Sequence, residues 1–73
     1  MNRVDKMKAI YIELAQQRID MMAEMPSTSP TRLKWFEASK ALIPYIQNVA
    51  TDEWILKHDK AGSTLIDMHA DIV

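Results

Sequence analysis

An all-α fold is expected for this chain, on three observations. Val4, Met7, Tyr11, Leu14, Arg18, Met21 and Met25 recur at alternating spacings of three and four, a seven-residue repeat on one helical face. Trp35, Ala38, Leu42, Tyr45 and Val49 repeat the spacing further on. Between the two lies Pro26-Ser27-Thr28-Ser29-Pro30, a segment that stops one helix and starts another. The architecture expected is a small helical bundle built on a long antiparallel helix hairpin, with a short C-terminal helical region, residues 1–73 forming one domain.

The first helix is expected over about Asn2 to Met25. Beside the heptad stripe it carries a second one, Ile12, Ala15, Ile19 and Met22, so its apolar arc is wider than one neighbour needs. Arg3, Lys6 and Lys8 crowd its N-terminal end and Glu24 its C-terminal end, both against the helix dipole, with only Asp5 in favour. Such a helix depends on tertiary or partner packing. Pro26 ends it by biasing Met25 out of helical geometry.

Ser29 and Pro30 read as cap and first-turn residue of the second helix. A five-residue link makes an antiparallel hairpin of the two. Pro44 removes a backbone donor and presses on the Lys40 carbonyl, so a kink or a break is expected near Ile43, the continuing apolar pattern favouring the kink.

Beyond Ala50 two readings compete. Thr51 as cap, Asp52 and Glu53 in the first turn, Lys57 and Lys60 late and Gly62 past the end describe a short third helix. Against it, Ile66, Met68, Ala70 and Ile72 alternate with Asp67, His69 and Asp71, a strand period. The Asp59-Lys60-Ala61-Gly62 segment would then be a hairpin turn, giving an α+β fold of two helices plus a C-terminal β-hairpin.

Composition narrows the function classes. At 73 residues the chain buries a modest core, and with no cysteine it has neither disulfides nor thiolate chemistry to stabilise it, which fits a reducing compartment. Oligomerisation remains as a source of stability, and a homodimer across the heptad face is one expectation. Apolar residues make up 48% of the chain, too many for disorder, and 26% charged residues keep it in solution. No apolar run approaches a membrane span and the N-terminus lacks a secretion-signal core, so a cytoplasmic location is expected. Residues 1–44 hold seven Lys/Arg against five Asp/Glu, and residues 45–73 two against five. That excess is mild for a nucleic-acid binder.

Several constellations invite sharper readings. Arg18 interrupts the heptad face and calls either for escape along its own stem to water or for an acidic partner across an interface. Met7, Met21, Met22 and Met25 are gap-fillers or an adaptable groove. Trp35 and Phe36, among Arg32, Lys34 and Lys40, resemble in composition a base-stacking surface, although Glu37 lies inside it. Residues 55–73 can be read as helix-turn-helix, but the second helix would bring Asp67 and Asp71 to phosphates with no Lys or Arg. His58-Asp59 and Asp67, His69, Asp71 include metal-ligand types, yet two His and no Cys make a protein-only site an unfavoured reading. No metal and no cofactor are expected.

Nor is catalysis expected: there is no nucleophile paired with a base by motif, and one glycine excludes a phosphate-cradling loop. What remains is a small non-catalytic protein-binding module, a regulator, adaptor or inhibitor acting through helix-face contacts or self-association, with Tyr11, Ile12, Arg18, Ile19, Met22, Met25 and Trp35 as contact residues. Its length alone points towards the accessory factors of phages and mobile elements. The alternative is a nucleic-acid-binding transcriptional regulator using Arg3, Lys6, Lys8, Arg32, Lys34 and Lys40.

Overall fold

A computed structural model describes residues 2–73. Among them are four helices and no strand: α1 (Arg3–Glu24), α2 (Pro30–Asn48), α3 (Asp52–Ala61) and α4 (Leu65–Ile72). The chain is therefore an all-α bundle, and the alternative with a C-terminal β-hairpin is overturned.

Asn2 caps α1, its side-chain oxygen accepting the Asp5 N–H at 2.9 Å. At the other end Met25 adopts φ −132° and ψ 71°, outside the helical region as a residue before proline must be. Two of the three basic residues that oppose the dipole of α1 find tertiary partners. Arg3 forks onto Asp59 of α3, with Nε 2.7 Å from Oδ2 and a terminal nitrogen 3.1 Å from Oδ1, and Lys8 lies 4.0 Å from Asp52.

Helix α2 packs along α1 as the expected hairpin. Ser29 and Pro30 take the cap and first-turn positions expected of them, and α2 continues through Pro44, as the apolar pattern favours. Ser29 makes no side-chain cap; instead Ser27 Oγ accepts the Ser29 N–H at 3.1 Å, and Pro30 begins the helix with a fixed φ and no donor to satisfy. Nor does Pro44 break the helix, which runs on to Asn48. Pro44 offers no N–H to the Lys40 carbonyl, and Asn48 Nδ2 donates to the Pro44 carbonyl at 3.1 Å.

The start of α3 is as read: Thr51 Oγ1 accepts the Trp54 N–H at 3.1 Å. Its end is a Schellman motif. Gly62 takes φ +65°, its N–H reaches the Asp59 carbonyl, and the Ser63 N–H reaches that of His58. Directly after it, Thr64 and Asp67 form a capping box that opens α4. This box is what defeats the strand reading. Leu65 and Met68 are buried and Ile72 packs against the core, a three-and-four spacing, while the Ala70 that a strand would place beside Met68 is exposed.

The core joins all four helices: Tyr11 and Ala15 of α1, Leu42 and Ile46 of α2, Ile55 of α3, and Leu65 and Met68 of α4. Helix α3 rests chiefly on α1, and α4 on α2.

Candidate functional site

The heptad stripe of α1 does two jobs along its length. Val4 and Met7 pack against the core and Tyr11 is buried in it, whereas Leu14, Met21 and Met25 are 46%, 49% and 64% exposed. The cause is helical geometry: a straight α-helix drifts by about 20° per seven-residue repeat, so three repeats turn the stripe by about 60°. The core face passes to the second stripe, where Ala15 is fully buried and Ile12, Ile19 and Met22 are half-buried. The C-terminal half of the first stripe is left facing outward.

That exposed half forms one wall of a cleft of about 400 Å³. Tyr11, Leu14, Gln17, Arg18 and Met21 line it from α1, Trp35 from α2, and Ser63, Thr64 and Leu65 from the turn into α4. Arg18 lies with its guanidinium 4.5 Å from the centre of the Trp35 ring, a cation–π stack. A shallower hollow adjoins it, lined by Arg18, Met21, Met22, Arg32, Trp35 and Phe36. Lys40 Nζ stands 5.2 Å from the centre of the Phe36 ring.

Of the residues expected to meet a partner, Tyr11, Arg18 and Trp35 come together in this cleft and Met22 lies in the hollow beside it. Ile12 does not: it packs against the core, and Ile19 is half-buried on the same stripe. Met25 is exposed at the end of α1 and lines neither. Arg18 is exposed, in keeping with a side chain that reaches water along its own stem; it lies against Trp35, and no carboxylate pairs with it among the described residues. Sequence reading passed over Leu14 and Met21 as contact residues, although they stand four before and three after Arg18 on the heptad stripe. Ser63 and Thr64 carry no sequence signal for this role; only the packing of α4 brings them here.

A second cluster lies in the angle between α3 and α4. The buried His58 ring has Nδ1 2.7 Å from Ser63 Oγ and Nε2 3.1 Å from Asp71 Oδ2. With the proton on Nε2, His58 donates to Asp71 and accepts from the Ser63 hydroxyl. Asp71 also receives the Trp54 indole N–H at 2.8 Å and Lys57 Nζ at 3.2 Å. Trp54 in turn meets His58 and Tyr45 edge-on, with ring centres 4.4 and 5.0 Å apart. Donation from His58 first, then from Lys57 and Trp54, holds the Asp71 carboxyl below its ordinary pKa. The Thr64 backbone N–H does the same for Asp67. Burial raises the Tyr11 hydroxyl, with Asp59 adding to the rise and Arg3 opposing it.

The hydroxyl–imidazole–carboxylate order is that of an acyl-transfer relay. Here, though, the two backbone N–H groups nearest the hydroxyl are committed, that of Ser63 to the His58 carbonyl and that of Thr64 to Asp67. The cluster's evident work is to tie α4 to α3. Among the described residues no three His, Asp or Glu side chains are grouped to hold a metal ion, and no helix is long and apolar enough to cross a membrane. The six basic residues named for nucleic acid are divided: Arg3 and Lys8 face acidic residues of α3, Lys6 is exposed on α1, and Arg32, Lys34 and Lys40 sit on α2.

Comparison with family models, curated proteins and solved structures finds no match to this chain.

Proposed function

We propose that this chain is a small non-catalytic protein-binding module, a regulator, adaptor or inhibitor, and that it engages its partner through the cleft between α1, Trp35 and the α3–α4 turn. The observation that carries the reading is the outward turn of the heptad stripe. Leu14 and Met21, nearly half exposed, stand beside Trp35 and Arg18. Exposed apolar side chains gathered round a concave surface mark recognition sites more often than scattered ones do. Tyr, Trp and Arg are the residue types that dominate binding energy at protein interfaces, and all three line this cleft. A helix or extended segment laid along α1 would cover the stripe.

The test compares the immobilised chain with a Leu14→Asp, Met21→Asp double variant in lysate of the cells that produce it, with circular dichroism confirming that both are folded. The reading expects a protein retained by the native chain and lost with the variant. A retained set identical for the two chains would overturn it.

A further inference from the structure

We propose that the occupant of the cleft is an acidic–apolar segment of a partner protein, with a carboxylate held by Arg18 and a bulky apolar side chain seated between Leu14, Met21 and Leu65. The inference rests on the reading of the cleft as a protein-binding site and adds the chemistry of what enters it.

Arg18 is the reason. Its guanidinium carbon lies 4.5 Å from the centre of the Trp35 ring, within cation–π range. A cation–π contact uses none of the guanidinium N–H donors in an ion pair, and Arg18 is exposed, so they remain open to a planar acceptor. A carboxylate meets them with two parallel hydrogen bonds. Among the described residues no carboxylate takes that place. The positions three and four residues from Arg18 along α1 are Leu14, Ala15, Met21 and Met22, and no ion pair engages Arg18 among the described residues.

The surroundings agree in sign. Neither the cleft nor the adjoining hollow is lined by Asp or Glu, and the hollow adds Arg32, also without an ion pair. Asp67, the carboxylate next to the Thr64 edge, is turned back to cap α4. A negative group on a partner is therefore attracted and nothing along the lining repels it.

The apolar floor separates a protein segment from a nucleic acid. A phosphodiester chain gains affinity by neutralising several phosphates at once. This site offers two cations, and around them it presents Leu14, Met21 and Leu65, which a sugar–phosphate chain leaves uncovered. An aliphatic or aromatic side chain close to a carboxylate satisfies both features together.

Selection from a random dodecapeptide library displayed on phage, against the immobilised full chain, tests the inference. The expected outcome is enrichment of peptides with Asp or Glu beside, or three to four residues from, Leu, Ile, Phe or Met. Their synthetic versions lose about tenfold or more in affinity with Arg18→Gln, or when the acid is replaced by its amide, as removal of a charge-assisted hydrogen-bond pair requires. Apolar peptides without an acid, lost with Leu14→Asp but indifferent to Arg18→Gln, would overturn the inference and leave the cleft as the binding site. Peptides that bind Leu14→Asp as well as the native chain, or no enrichment, would overturn both. Binding of a fluorescent oligothymidylate that displaces the peptide and depends on Arg18 would assign the site to nucleic acid instead. A dimer of the native chain that Leu14→Asp dissociates would make a second copy the occupant.

Discussion

His58 and Asp71 are bonded across the angle between α3 and α4, Nε2 to Oδ2 at 3.1 Å, and that bond joins two helices that otherwise rest on different neighbours. With α3 chiefly on α1 and α4 on α2, the cluster of Trp54, Lys57, His58, Ser63 and Asp71 closes the bundle on itself. It also sets the position of the turn that forms one wall of the cleft.

Acid should loosen this closure. Asp71 and Asp67 are both held below the ordinary carboxylate pKa, Asp71 chiefly by His58 and Asp67 by the Thr64 N–H. A carboxylate with a lowered folded-state pKa contributes stability above its unfolded value, about 3.9 for Asp, and loses it as pH falls through the folded value. Thermal melts by circular dichroism across a pH series should therefore show a midpoint that falls progressively below about pH 4. Asp71→Asn should lower the neutral-pH midpoint and flatten that fall. An unchanged acid slope in this variant would remove Asp71 from the account.

Ser63→Ala leaves the buried His58 Nδ1 without its partner and should cost about 1–2 kcal/mol, read from urea unfolding. The same hydroxyl should resist fluorophosphonate labelling, because the neighbouring backbone donors that an acyl-transfer intermediate needs are already bonded. A Ser63 adduct by mass spectrometry would contradict the structural role given to the cluster.

Gly62→Ala should destabilise by about 1 kcal/mol, and Gly62→Asn by less. A Cβ at this position meets nothing within 4 Å, so the whole cost lies in the left-handed backbone at φ +65°. Equal stability of the alanine variant in urea unfolding would mean that the turn rearranges.

The helices rest on local chemistry and are legible in the sequence for that reason. Thr51 and Gly62 act within a few residues of themselves, and the structure keeps them; of the stripe Trp35, Ala38, Leu42, Tyr45 and Val49, Ala38 and Leu42 are buried, whereas Val49 is exposed and Ile46 is buried instead. Residues 65–72 were ambiguous because alternation and helical spacing coexist there; the capping box of Thr64 and Asp67, also a local feature, decides for the helix. The candidate site was legible only in part. Which stripe of α1 faces inward depends on the accumulated turn of the helix and on where α2 lies, and a wide arc does not encode that choice. Hence Leu14 and Met21 belong to the cleft while Ile12 belongs to the core.

That exchange of roles is measurable. Ile12→Asp places a charge against the core and should cost several kcal/mol, on the order of 3, whereas Leu14→Asp, on a half-exposed position, should stay within about 0.5 kcal/mol of the native chain. Equilibrium urea unfolding compares them directly. If Leu14→Asp is the costlier of the two, the assignment of the stripes is reversed.

Occupancy of the cleft in the cell tests the central claim most directly. A photo-crosslinking phenylalanine analogue is placed at Leu14, in the cleft, or at Leu56, which is exposed on α3 and outside it. The account predicts, on illumination, a discrete adduct with another protein from position 14 and none of that mass from position 56. The same adduct from both positions, or none from position 14 while position 56 gives one, would contradict it.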